Sequence, residues 1–248
     1  MRRTRIQVVG IAVLAAVTIL LVVAAVMKPS LERANAQRPA ATFLLSPSTP
    51  AATPSPTAAP PSPSASAAPS LPAPLRFAAV GDAITLGDSP DFAASRAGSL
   101  SWVAYAAGPQ LAFAGGWAAA GATTAKIAAG VKSFDVDVLV IMAGTNDVNQ
   151  GVPFAQTESN LDRIVAKAGV RRVLVSAIPP RNAQAQATAD FNAALGKFAQ
   201  QRGWTFVDAP AGVRDSDVYA AGMTLDGVRP TKDAAQIMGK AIALALAP

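Results

Sequence analysis

The 248-residue chain contains no cysteine and no histidine. Without cysteine there is no disulfide, no thiolate nucleophile and no cysteine-ligated metal. Without histidine the commonest general base and the commonest transition-metal ligand are both missing. Aromatic residues make up 6% of the chain and charged residues 15%. The formal charge of +6 is gathered at one end, where Arg2, Arg3, Arg5, Lys28, Arg33 and Arg38 face a single acid, Glu32. That leaves 15 of the 21 bases against 14 of the 15 acids for everything after residue 40. A near-neutral domain has no basic stripe with which to track a phosphate backbone, so no nucleic-acid partner is expected. Scattered aspartates form no recognisable ligand spacing, so neither a metal nor another cofactor is expected.

What is present falls into zones. Ile6 to Met27 is a run of 22 residues without a charge, long enough at about 1.5 Å per residue to cross a bilayer core of about 30 Å. A cleaved signal peptide is the competing reading, but its apolar region is usually only about 7 to 15 residues. The nearest small-x-small site, Ala34-Asn35-Ala36, also lies beyond Lys28, Glu32 and Arg33. Residues 6–27 are therefore expected to be an uncleaved transmembrane signal anchor. The Arg2, Arg3, Arg5 cluster keeps residues 1–5 cytoplasmic, which makes a single-pass protein of the cell membrane with an extracytoplasmic C-terminal domain. Residues 28–74 read as a disordered linker. Its Ser46 to Pro74 portion is uncharged and holds ten of the chain's 20 prolines among Ser, Thr and Ala, the composition of an extended spacer. At about 3.1 Å per residue, that portion reaches on the order of 90 Å from the membrane.

Residues 75–248 have a different texture. Arg76 to Val80, Leu111 to Ala114, Val136 to Met142, Arg172 to Ala177 and Thr205 to Val207 read as strands, short and apolar enough to be covered on both faces. Helices are expected over Ser101 to Ala107, Thr124 to Val131, Phe154 to Ala168, Ala187 to Arg202 and Thr231 to Leu246. Strands alternating with helices imply a mostly parallel sheet in an α/β domain. In such a sheet ligands sit beyond the carboxyl ends of the strands, so the loops there are the ones to inspect.

Three of those loops carry patterns: Gly81-Asp82-Ala83-Ile84-Thr85, Gly144-Thr145-Asn146-Asp147 and Asp226-Gly227-Val228-Arg229-Pro230. Singly, each looks like an ordinary turn. In this order and at these strand ends they resemble the SGNH/GDSL hydrolases, whose members read approximately GDSIT, GTND and DGVHP. The resemblance covers Arg76 to Leu246 and implies a three-layer α/β/α, flavodoxin-like fold. It also implies an oxyanion hole assembled from Asn146 and from backbone N–H groups near Asp82 and Ala83 and in the Gly115 to Thr124 stretch. In that stretch Ala118 and Gly116 both remain candidates for the family's glycine.

The resemblance makes the departures legible. At the position of the family's nucleophilic serine stands Ala83, whose methyl group has no lone pair with which to form an acyl-enzyme. At the position of its histidine stands Arg229, permanently protonated and without an acceptor. Asp226, which in the family orients the histidine, is retained. No intact catalytic residue is therefore expected. The alternative is an active esterase or acyl hydrolase in which Thr85 or Ser89 attacks and Asp82 or Asp226 is the base. Arg229 has two readings: an ion pair with Asp226 that plugs the old cleft, or an anion-binding group acting with Asn146. A cell-envelope polysaccharide, lipid or protein is the expected partner class.

Overall fold

The computed structural model describes residues 73–247. The expected transmembrane anchor over 6–27 and residues 28–72 of the expected linker lie outside the described residues. Among the described residues no helix is long and apolar enough to cross a membrane.

Five parallel strands form the central sheet: β1 (Leu75–Gly81), β2 (Leu111–Ala118), β3 (Val138–Met142), β4 (Arg172–Ser176) and β5 (Thr205–Val207). Their order is β2-β1-β3-β4-β5. The helices are α1 (Ala83–Leu86), α2 (Val103–Ala106), α3 (Thr124–Gly130), α4 (Thr145–Gln150), α5 (Phe154–Ala168), α6 (Ala185–Gln201) and α7 (Lys232–Leu246). A small antiparallel pair, β6 (Arg214–Asp215) and β7 (Val218–Tyr219), follows β5.

Side chains of a strand alternate between the faces of its sheet, and the two cores follow that alternation. Ala78, Val80, Leu139, Ile141, Val173 and Val175 pack on one face with Ile127 of α3, Leu161 and Ile164 of α5 and Leu195 and Phe198 of α6. Phe77, Ala79, Val138, Val140 and Leu174 pack on the other with Trp102, Val103 of α2 and Met238 and Ile242 of α7. The three-layer α/β arrangement is thus as expected.

Capping fixes several helix starts. The Thr123 hydroxyl accepts from the Lys126 N–H at the head of α3, and the Thr231 hydroxyl accepts from the Ala234 N–H at the head of α7. Helix α5 has the expected bounds, whereas α6 begins two residues earlier than expected, after the 3-10 turn Asn182–Gln184.

Strand β2 departs from expectation by continuing past the glycines to Ala118. It does so through a bulge. Phe77 stands opposite Phe113, but Ala79 stands opposite Gly116, with Gly115 at φ 94° taking up the extra residue. Gly116 is required there for a separate reason: a Cβ would lie 1.9 Å from the Ala79 carbonyl oxygen. Gly116→Ala is expected to destabilise the protein by about 2 kcal/mol through overpacking of the β1–β2 pair. Urea denaturation of the variant against wild type measures this, and an unchanged midpoint would contradict it.

Candidate functional site

The strand order sets β1 between β2 and β3, with Gly81 beside Ala118 of β2 and Met142 of β3. The loops after these three strands therefore emerge at one mouth, the usual ligand position of an open parallel sheet. Beyond β1 the chain turns at once into α1. Asp82 is the N-cap of that helix, its Oδ1 accepting from the Ile84 N–H at 2.9 Å. The carboxyl is only 1% exposed. Burial, assisted by the charge of Asp147, pushes its pKa up to about 6 against the pull of hydrogen bonds from the Ile84 N–H and Thr145. Ala83 follows as the first residue of α1 and is half-buried.

Asn146 lies in the first turn of α4. Its Nδ2 donates to the Ala122 carbonyl at 2.9 Å and to Asp82 Oδ2 at 3.4 Å. The first and second sequence patterns are thus brought together, but the bond joining them is long and weak. The buried Asp147 faces the other way. It accepts from the Thr124 N–H at 2.9 Å, from the Thr124 hydroxyl and from the Thr157 hydroxyl at 3.3 Å, pinning α3 and α5 to α4.

Of the two candidates in β2, Ala118 ends the strand beside Gly81 at the mouth. Gly116 does not belong to the site. It lies two residues further back, wedged against Ala79, and lines a separate hollow with Trp117 and Phe134. Its glycine is dictated by strand contact, which sequence spacing alone does not distinguish from a ligand-facing glycine.

The third pattern forms a tight loop closed by a bridge between Thr224 and Pro230. Asp226 organises it: Oδ1 accepts from the Val228 N–H at 3.1 Å and the Arg229 N–H at 2.7 Å, and Oδ2 accepts from Arg229 Nε at 2.8 Å. The Arg229 backbone bond first, and then its guanidinium, hold the Asp226 carboxyl below its usual range. The expected ion pair is therefore formed. It does not plug a cleft, however, because the two side chains are 64% and 40% exposed. Exposed pairs stabilise little. Among the described residues only Nε of the Arg229 guanidinium bonds to a carboxylate, leaving its terminal nitrogens free.

Sequence reasoning missed Tyr219. It is buried on β7, its hydroxyl donating to the Val228 carbonyl at 3.1 Å and its N–H donating to Asn182 Oδ1 at 2.9 Å. Burial raises its pKa, and the charges of Asp82 and Asp226 raise it further. The phenol is accordingly a neutral post between the first and third patterns. No signal in a two-residue strand would have identified it.

The substitute nucleophiles are committed elsewhere. Thr85 is fully buried, donating to the Met142 carbonyl at 3.4 Å and accepting from Trp102 Nε1 at 3.1 Å. The Ser89 hydroxyl donates to the Leu86 carbonyl and accepts from the Gly98 N–H at 3.0 Å. Both hydroxyls hold the chain that follows α1.

A five-stranded parallel sheet in the order β2-β1-β3-β4-β5, with these loops at its carboxyl edge, defines an α/β domain of the flavodoxin-like class. Residues 79–237 match the family model of GDSL-like lipases and acylhydrolases, and the chain belongs to that family. It is similar in structure to a protein classed as lipolytic, of the G-D-S-L family, from Desulfitobacterium hafniense. The two share 19% identity and a TM-score of 0.59, with 69% of this chain and 99% of that one covered. A protein classed as an acylhydrolase from Bacteroides fragilis shares 25% identity at a TM-score of 0.53, covering 71% of this chain and 89% of its own. An acetyl-xylooligosaccharide esterase from Geobacillus, solved as a mutant, shares 19% identity at a TM-score of 0.55, covering 69% and 93%. No curated protein matches the chain.

Proposed function

We propose that the chain is a membrane-tethered, extracytoplasmic family member that no longer turns over esters and instead binds an acyl or anionic group of a cell-envelope glycan or lipid. One observation carries this reading. A methyl group stands at position 83 where an attacking oxygen is needed, and the aspartate that would orient a base is bonded to a permanent cation. An alanine cannot form an acyl-enzyme, and an arginine cannot take up a proton.

Donors remain. Arg229 offers its terminal N–H groups from the exposed third loop, and Asn146 can exchange its 3.4 Å contact with Asp82 at the mouth for a better acceptor. Such groups bind an oxyanion without reacting with it. The 22-residue uncharged run and the proline-rich stretch after it support the tether.

The full-length chain incubated with a fluorophosphonate is expected to carry no adduct by mass spectrometry. It is expected to bind acetate or inorganic phosphate saturably, about tenfold more weakly after Arg229→Ala. A covalent adduct at a serine or threonine, lost when that residue is replaced, would restore the enzymatic reading. Anion binding indifferent to Arg229 would remove the binding one.

A further inference from the structure

A concavity lies at the carboxyl ends of β4 and β5. It has a volume of about 260 Å³, close to the lower end of the roughly 300–1,000 Å³ typical of small-molecule sites, so it suits a single ring rather than a chain. None of Ala83, Ala118, Asn146 and Arg229 lines it. Its walls are the loop after β4, the first half of α6 and the β6–β7 hairpin.

Part of the lining is polar and held in place by hydrogen bonds. Asn192 clamps the loop after β4, accepting from the Ile178 N–H and donating to the Ile178 carbonyl, each at 2.9 Å. Arg214 bonds to Asp208 through both terminal nitrogens, one of them at 2.7 Å. That fork is fixed, with Nε left over among the described residues. Asp217 lies near enough for its charge to act on Arg214, yet it makes no hydrogen bond or ion pair among the described residues. It is carried by the turn between β6 and β7, where Ser216 adopts φ 54°, a left-handed conformation that costs a residue with a side chain free energy.

The fourth component is apolar. Phe206 of β5 is 36% exposed and lines the same cavity. Its ring lies against Gly196 in the middle of α6, where a Cβ would come 3.3 Å from ring atom Cε1. Glycine inside a helix costs about 1 kcal/mol relative to alanine, and here it leaves room for the ring. The charged groups lining the cavity, Asp208, Arg214 and Asp217, have a net negative sign, which disfavours an anion.

We propose that this concavity is a binding subsite for one neutral sugar residue. An aromatic face accepts the C–H side of a pyranose ring. The free carboxylate of Asp217 accepts from sugar hydroxyl groups, and Arg214 Nε donates to a neighbouring oxygen. The subsite does not depend on the anion-binding reading of Arg229, and its test keeps the two apart.

Saturation-transfer NMR on the full-length chain with methyl β-glucoside and with glucuronate measures binding directly. The glucoside ring protons are expected to receive saturation at least fivefold more strongly than those of glucuronate. The effect is lost in Phe206→Ala and in Asp217→Asn, the latter keeping shape while removing charge, and it persists in Arg229→Ala. Absence of transfer to the glucoside, equal or stronger transfer to glucuronate, survival of the signal in both variants, or its loss in Arg229→Ala would each overturn the proposal.

Discussion

Combining Ala83→Ser with Arg229→His is expected to raise hydrolysis of p-nitrophenyl acetate by about a thousand-fold over the wild-type chain, since loss of such a nucleophile or base costs about a million-fold in comparable sites. The reason lies in what Asp226 already does. Its Oδ2 accepts from Arg229 Nε at 2.8 Å while its Oδ1 holds the Arg229 N–H. A histidine at that position would find the same carboxylate ready to accept from Nδ1–H, leaving Nε2 as the proton acceptor. Position 83 opens α1 at the mouth, beside the long Asn146–Asp82 contact. Either single substitution is expected to remain near background, because nucleophile and base act as a unit. A folded double variant as silent as wild type would mean that the oxyanion-stabilising geometry has gone too, with Asn146 held by Ala122 and unable to turn.

Asp82→Asn is expected to remove most of the pH dependence of stability between about pH 4 and pH 6. The Asp82 carboxyl has an ordinary pKa of 3.8, and burial raises it to about 6 in the fold. Between those values the folded chain holds a proton that the unfolded chain has released, so stability declines as the pH rises. The stabilising contribution is complete below the unfolded value and lost above the folded one. A difference of about two pKa units corresponds to about 3 kcal/mol. Asp88 and Asp226 have lowered pKa values, and their opposite contributions fade only as the pH falls below the same ordinary value. Asparagine keeps an Oδ1 to accept from Ile84, gives up only the long 3.4 Å acceptor contact of Oδ2 with Asn146 and carries no charge, so the variant should be the more stable protein at pH 7.5. Urea midpoints for wild type and variant at pH 4.5 and pH 7.5 decide this, and parallel profiles would show that another group is responsible.

The sheet was legible in the sequence because strands covered on both faces are written as unbroken apolar runs: Val138 to Met142 is wholly buried. Helix α5 was legible with both its bounds, Phe154 and Ala168. The family was legible in the order of three short patterns, which supplied what no single pattern could, and the fold brings Asn146 of the second within 3.4 Å of Asp82 of the first. Three features escaped. The continuation of β2 was hidden by Gly115-Gly116, which reads as a stop and serves as a bulge and a backbone contact. Helix α4 was read only as a motif, because the six residues Thr145–Gln150 are too few to show a helical period. Tyr219 came to the site through tertiary contacts of a hairpin with two residues in each strand, for which sequence periodicity has no signal.

The bulge at Gly115 gives β2 two independent settings against its neighbour. Below it the partner of each β1 residue is 36 positions on, as in Phe77 and Phe113; above it the offset is 37, as in Gly81 and Ala118. The foot of the strand and its upper end are therefore geared separately. Without the extra residue taken up at Gly115, Trp117 rather than Ala118 would stand opposite Gly81 at the edge of the cleft.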